Sequence, residues 1–139
     1  MDLHCTPLED IFPKESSIFS QGADFRPSTA FYKMTQVRYT VTASMANQEI
    51  LVEYIAWLKA GHAQALIDAG ALSAEVNVID TEVSESVKAE ATYVFPSQES
   101  LQAYMDGPAL ALREDGKTRW IDTGKISFTR RIAKINFVL

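Results

Sequence analysis

The sequence predicts an α+β domain whose elements follow in the order β-α-β-β-α-β. Three observations lead to this prediction. Four segments alternate apolar and polar residues, which is the period of a half-buried strand. Two segments have the period of an amphipathic helix. Gly, Pro and polar residues separate these segments. With 139 residues, the chain is long enough for one domain with a sizeable core.

The first strand and the first helix lie between residues 36 and 70. In the strand, Arg and Thr alternate with the apolar residues Val37, Tyr39, Val41 and Ala43. Asn47 is a suitable N-cap and Gly70 a suitable C-terminal cap, so the helix is predicted from about Asn47 to Asp68. Its apolar side is formed by Leu51, Ile55, Leu58, Ala65, Leu66 and Ala69. His62 lies at the centre of that side, which directs its ring toward the sheet and predicts a neutral, hydrogen-bonded imidazole.

The remaining elements follow the same two periods. Alternation predicts a second strand over residues 72–78, a hairpin connection over 80–86 and a third strand over 87–95. Ser97 caps a second helix, which Gly107-Pro108 interrupts and Asp115-Gly116 ends. The last strand is predicted over about residues 125–132. This order is the ferredoxin-like arrangement, with a four-stranded antiparallel sheet and both helices on one face.

Residues 1–34 form a separate N-terminal arm, and residues 35–139 form the ferredoxin-like domain. Prolines and glycine interrupt any period in the arm, yet it carries Phe12, Phe19, Phe25 and Phe31. Two interpretations stay open: part of the arm packs on the domain or on a partner chain, or most of it is disordered.

Composition excludes several classes of function. A net charge of −5 argues against nucleic-acid binding. Cys5 is the only cysteine, so no disulfide forms within the chain, which suits the reducing cytoplasm. No segment resembles a signal peptide or a membrane span, so we expect a cytoplasmic protein with no membrane partner. Phosphate-loop, nucleophile-elbow and zinc motifs are missing, which predicts neither a metal site nor a cofactor.

The side of the sheet that the helices leave uncovered is polar. This open face comprises Thr40, Thr42, Glu75, Glu90, Thr129 and Arg131. It is either a solvated face, which is common in antiparallel sheets, or a face that packs on a second sheet. Alternation alone does not decide between them; the second interpretation predicts a homodimer formed through the open face. Arg130 and Arg131 should then point to opposite sides of the last strand, with Arg131 paired to Glu75 or Glu90.

Several short motifs resemble those of a family of uncharacterised bacterial proteins. They are Tyr39-Thr40-Val41-Thr42, Trp57-Leu58, His62, Gly70, Tyr93-Val94-Phe95, Tyr104, Leu112-Arg113 and Arg130-Arg131-Ile132. That family belongs with the dimeric α+β barrels, which include antibiotic-biosynthesis monooxygenases, EthD-like proteins and muconolactone isomerases. The resemblance covers about residues 36–133. It implies that two ferredoxin-like subunits join sheet to sheet, with a cleft between helices and sheet in each.

His62 is the candidate catalytic residue, because its ring can donate or accept a proton near neutral pH. The alternative is a core histidine satisfied by a neighbouring hydroxyl or carbonyl. The candidate ligand-binding residues are Trp57, Tyr39, Tyr93, Tyr104 and Arg113. Each has a structural alternative: Trp57 covers the sheet edge, the tyrosines pack, and Arg113 interacts with the helix dipole.

Two functions remain as hypotheses. The first is a small-molecule site between the first helix and the sheet, extending to cofactor-free chemistry on a small organic ligand. The second is a non-enzymatic dimeric binding or assembly module. They differ in whether a cavity lined by convergent polar groups opens beside His62.

Overall fold

The computed structural model of the protein describes residues 35–82 and 86–139. The predicted arm, residues 1–34, and residues 83–85 of the predicted hairpin connection lie outside this part. The strands are β1 (Val37–Met45), β2 (Ser73–Ile79), β3 (Val87–Phe95) and β4 (Ile126–Lys134). The helices are α1 (Gln48–Trp57), α2 (Ala63–Asp68), α3 (Gln98–Asp106) and α4 (Pro108–Gly116), with π-helical turns at Leu58–His62 and Lys117–Ile121.

The four strands form one antiparallel sheet in the order β2-β3-β1-β4. Together with the helices between them, this confirms the predicted ferredoxin-like βαββαβ fold. Strand alternation places one side of β1, β3 and β4 under the helices, and the core lies there. The edge strand β2 adds no buried residue, since even its apolar Val76 and Val78 are exposed. The buried core residues from β1 and β3 include Val37, Tyr39, Ala91, Tyr93 and Phe95.

The first helix is interrupted, whereas the sequence predicted it to be continuous. Asn47 caps α1 as expected, since its Oδ1 accepts a hydrogen bond from the Ile50 backbone N–H at 3.0 Å. Between α1 and α2, however, the backbone forms the π-helical turn Leu58–His62. Gly61 in this turn has φ 154° and ψ −20°, a conformation that favours glycine because it has no Cβ. The helix ends before Gly70, as predicted.

The second helical region is longer than predicted. Ser97 caps α3, and Pro108 begins α4. The α-helix α4 ends at Gly116, as predicted, but the helical backbone continues beyond it into the π-helical turn Lys117–Ile121. This turn carries Trp120, which is buried in a cluster with Leu58 and Ile126. Burial of an indole ring stabilises the extension more than the low helix propensity of Gly116 opposes it.

The register of β4 confirms that Arg130 and Arg131 point to opposite sides. Arg130 pairs with Val41 on the helix side, and Arg131 pairs with Thr40 on the open face. The expected charge pair of Arg131 with Glu75 or Glu90 was wrong within one chain. Arg131 and Glu75 occupy the outer strands of the sheet, about 14 Å apart at ~4.8 Å per strand. Glu90 lies on β3, which β1 separates from β4. Glu75 instead accepts a hydrogen bond from Asn77 at 2.9 Å.

Candidate functional site

A cavity opens between the first helix, the second helical region and the sheet. It contains about 520 Å³ of empty space, part of it open to solvent. All six residues singled out in the sequence line it: Tyr39, Trp57, His62, Tyr93, Tyr104 and Arg113. The structure thus brings together side chains from two strands and both helical regions, while their roles in binding or catalysis stay predictions.

Trp57 and His62 form one wall of the cavity. Their rings stack with centroids 4.0 Å apart and an interplanar angle of 25°. The Trp57 indole N–H also donates a hydrogen bond to Asp115 Oδ2, at 3.2 Å. Trp57 therefore does more than cover the sheet edge: it connects the first helix to α4 and holds the imidazole against the cavity.

The imidazole of His62 is neutral at physiological pH. Burial is the main cause that lowers its pKa from 6.5 to about 4; the charge of Asp115 acts in the opposite direction, and the charge of Arg130 acts in the same direction as burial. Its Nδ1 has no hydrogen-bond partner. The expectation of a neutral ring agrees with this environment, whereas the expected hydrogen bond is missing at Nδ1. Nδ1 is thus a buried nitrogen without a hydrogen-bond partner in a residue that lines the cavity.

Three tyrosines form the floor of the cavity. Tyr39 and Tyr93 are directly opposite each other in the β1–β3 register, with ring centroids 6.1 Å apart. The Tyr104 ring lies 6.2 Å from that of Tyr39. Burial raises the pKa of all three phenols. Their hydroxyls therefore stay protonated at neutral pH and can donate hydrogen bonds as well as accept them.

Two arginines supply positive charge next to Tyr39. The Arg130 guanidinium lies 5.9 Å from the centroid of the Tyr39 ring. Arg113 and Arg130 both act to lower the pKa of Tyr39 through charge and hydrogen bonding, although burial outweighs them. Arg113 Nη2 lies 3.2 Å from Met105 Sδ. The guanidinium of Arg113 is thus directed into the domain and does not simply answer the helix dipole.

The cavity is also lined by three polar residues that the sequence did not single out as site residues: Tyr54, Lys117 and Arg130. Tyr54 lies one turn before Leu58, so the helical period carried a signal for it. Arg130 is placed on the helix side by strand alternation, which was a second usable signal. No such signal existed for Lys117, because the helix was expected to end one residue earlier.

Residues 35–82 and 86–139 contain neither a membrane-spanning helix nor a cluster of metal-ligating side chains. None of the helices in these ranges combines the length and apolar character needed to cross a bilayer. No group of three or more His, Cys, Asp or Glu side chains in the same ranges is arranged to hold a metal ion.

The sequence model of one family, described as a domain of unknown function (DUF4286), matches residues 36–135. The chain belongs to the DUF4286 family. This match spans the whole ferredoxin-like domain, and it agrees with the expectation of a family of unknown function. Comparison with curated proteins found no match.

Solved structures similar to this DUF4286 domain share its fold at low sequence identity. A dimeric ferredoxin-like protein from an uncultured marine organism has a TM-score of 0.57 and 15% identity, covering 76% of this chain and 99% of that one. A variant of SnoaB, a cofactor-independent oxygenase from Streptomyces nogalater, has a TM-score of 0.51 and 12% identity, covering 76% and 97%. A likeness at these identities shows the fold alone.

Proposed function

We propose that this DUF4286 domain binds a small organic molecule in the cavity beside His62. The observation that supports the proposal is the convergence of a neutral imidazole, tyrosine hydroxyls and a guanidinium in one partly enclosed, largely apolar space. Ligand sites commonly combine an apolar lining with a few polar groups that fix orientation. A core histidine with only a packing role would leave no reason for this convergence.

We propose that His62 contacts the ligand directly. The unpartnered Nδ1 can accept or donate a hydrogen bond, depending on its tautomer. With a pKa of about 4, the ring is a weak base, so hydrogen bonding is better supported than strong proton abstraction. Cofactor-free chemistry on the bound molecule is the extension of this proposal, and SnoaB shows that the fold accommodates such an enzyme.

A homodimer formed through the open face is the second part of the proposal. Glu75, Thr92, Thr40 and Arg131 form one row across the four strands. Glu75 and Arg131 are exposed at opposite ends of this row. A two-fold axis along the strands would place Glu75 of one copy over Arg131 of a second copy, so the face is complementary to itself. This arrangement would be a dimeric α+β barrel, the assembly that the resemblance implies, and we retain with it the expectation of a bacterial, cytoplasmic protein.

A cavity-filling variant tests the binding proposal. Leu112 lines the cavity, so Leu112→Trp should fill it. Leu110, on the same helix, is 60% exposed, so Leu110→Trp is the matched control. The probes are benzamide, phenylacetamide and their carboxylates, measured by isothermal calorimetry with the full chain.

We expect the parent chain and Leu110→Trp to bind at least one probe, and Leu112→Trp to bind none while keeping its circular dichroism spectrum. His62→Gln gives a second reading that does not depend on packing a large ring, and it should weaken binding. Equal binding by Leu112→Trp and the parent chain would contradict the location of the site, and the absence of binding by every probe would contradict the proposal itself.

A further inference from the structure

We infer that the ligand of this cavity is an organic anion, with a carboxylate held between Arg113 and Arg130 and an apolar body against Trp57. The inference rests on the proposed function and specifies the class of ligand. It concerns charge, which the shape of the cavity alone does not determine.

The described part of the cavity lining contains cationic side chains but no acidic one. Three cationic side chains line it, Arg113, Lys117 and Arg130, and none of the lining residues in the described part of the chain is Asp or Glu. The chain as a whole has a net charge of −5. This local excess of cations therefore runs against the composition, and it favours an anion at this place.

Lys117 is already paired with a carboxylate, so Arg113 is the first candidate for the anion-binding group. Lys117 Nζ lies 3.2 Å from Asp122 Oδ1 in a salt bridge. Asp115 is the carboxylate whose charge raises the pKa of His62. Its Oδ2 accepts a hydrogen bond from the Trp57 indole N–H, and its Oδ1 lies 3.7 Å from Arg119 Nη2. Both carboxylates thus face other partners.

Arg113 has hydrogen-bonding capacity to spare. Its Nε has no hydrogen-bond partner although it is buried, and its Nη2 contacts the Met105 sulfur, a weak acceptor. A buried donor without a partner costs free energy, and a ligand oxygen would remove that cost. A guanidinium can donate two parallel hydrogen bonds to a carboxylate, and such a ligand would give the Nε of Arg113 an acceptor and compete with the weak sulfur acceptor at Nη2. The neighbouring charge of Arg130 beside Tyr39 adds to the attraction.

The rest of the lining indicates that the anion has an apolar body. Apolar side chains line the same cavity: Val41, Leu58, Leu66, Leu112 and Phe128, with the Trp57 ring. An inorganic anion would leave these surfaces uncovered, whereas an aromatic or aliphatic carboxylate would bury part of them. Tyr39 and His62 can hydrogen-bond the same carboxylate or a further polar group.

Matched acids and amides test the charge directly. Benzoate and benzamide have nearly the same shape but differ by one charge, as do phenylacetate and phenylacetamide. With the full chain at pH 7.5 and low salt, calorimetry should show each acid binding at least about tenfold more tightly than its amide. Rising salt should reduce this ratio only in part, because the site is partly buried.

Arg113→Gln should bring the acid-to-amide ratio close to one. Arg119→Gln is the matched control, because Arg119 is an exposed arginine of the same helical region, and it should keep the ratio. Arg113→Lys preserves the charge but not the paired hydrogen bonds, so it should give an intermediate ratio, and it serves if the glutamine variant fails to fold.

The outcomes separate the inference from the proposed function. If amides bind as tightly as acids, or if the ratio survives in Arg113→Gln, the inference is wrong while the small-molecule site stands. If no acid or amide binds, the proposed function fails and the inference fails with it. If acids are favoured but Arg119→Gln loses the preference as fully as Arg113→Gln, the anion binds outside the cavity and the inference is again overturned.

Discussion

The rings of Trp57 and His62 stack with their centroids 4.0 Å apart, although the two residues are five positions apart in one helical region. In a regular α-helix, side chains five residues apart point about 140° away from each other. The π-helical turn Leu58–His62 contains one more residue per turn, and this extra residue brings both rings to the same side. The cavity wall is therefore a product of the helix interruption and of Gly61, which has the positive φ that the turn requires.

Gly61→Ala should destabilise the domain by about 1–3 kcal/mol. A Cβ at this position would meet no atom within 4 Å, so the cost comes from the backbone conformation alone, with φ at 154°. Urea unfolding monitored by circular dichroism measures the loss of unfolding free energy. A shift in tryptophan fluorescence should accompany it if the Trp57–His62 stack loosens.

Gly116→Ala is the control with the opposite expectation. Gly116 has helical angles, with φ −66° and ψ −37°, and an added Cβ would lie at an ordinary contact distance of 3.6 Å from Trp57. Its helix propensity should improve, so the unfolding free energy should stay within about 1 kcal/mol of the parent or rise. Equal losses in the two glycine variants would contradict the argument from backbone conformation.

His62 should make the domain less stable as the pH falls from 6.5 to 4. Its folded-state pKa of about 4 lies below its ordinary value near 6.5, so in this range the unfolded chain binds a proton that the folded chain does not. Above pH 6.5 the imidazole is neutral in the folded and the unfolded chain, so its titration costs no stability. Between pH 6.5 and pH 4 the unfolded chain takes up the proton first, and this lowers the unfolding free energy by about 2–3 kcal/mol. Urea unfolding at several pH values measures this slope.

Carboxylates titrate in the same pH range and also change the stability. The contribution of His62 is therefore measured as the difference between the pH slopes of the parent chain and of His62→Gln. His62→Gln should flatten the slope relative to the parent, and its stability at pH 7.5 should change by at most about 1–2 kcal/mol. His4→Gln removes the other histidine of the sequence and should keep the parent slope. Identical slopes in the parent and in His62→Gln would show that the ring is not buried as described.

The fold could be predicted because the periodicity of apolar residues and the helix-capping residues indicate the same elements along the domain. Alternation located all four strands, and the caps Asn47 and Ser97 located the starts of both helices. The two π-helical turns could not be predicted in this way. A helical period assumes constant rotation per residue, whereas the turns depend on long-range packing, as with the burial of Trp120. The predicted pairing of Arg131 with Glu75 failed because alternation gives the face of a residue and not the strand order.

Several residues that line the cavity could be predicted from the sequence, but the ring stacking and the positive charge of the lining could not. Face assignment brought His62, Tyr39 and Arg113 to the same side of the sheet. The stacking of Trp57 on His62 and the accumulation of cations depend on the π-helical turns and on β4 register. Neither can be read from a single segment, because each arises where distant segments meet.

Deletion of residues 1–34 should lower stability and leave ligand binding largely intact. The reason is sequence-based: the arm carries several phenylalanines, and every candidate site residue of the sequence lies after residue 34. Thermal unfolding and benzoate calorimetry on the truncated and full chains measure the two effects separately. Loss of binding by a truncated chain that is still folded would contradict the prediction.

Charge reversal on the open face should disrupt the proposed homodimer. Arg131→Glu places like charges opposite each other, because Glu75 of a second copy lies over Arg131 in the proposed two-fold arrangement. The same holds for Glu75→Arg. Each single variant should dissociate at a concentration at least about tenfold higher than the parent, as measured by sedimentation equilibrium.

The double variant Glu75→Arg, Arg131→Glu should recover most of the lost association, because exchanging both charges restores opposite signs across the interface. Both side chains are exposed within one chain, and they lie on outer strands of the sheet. The recovery therefore depends on a second copy and not on a contact within the subunit. Lys59→Glu reverses an exposed charge on the helical side and should leave association unchanged. A double variant that dissociates as readily as the singles would place the interface elsewhere or give it another orientation.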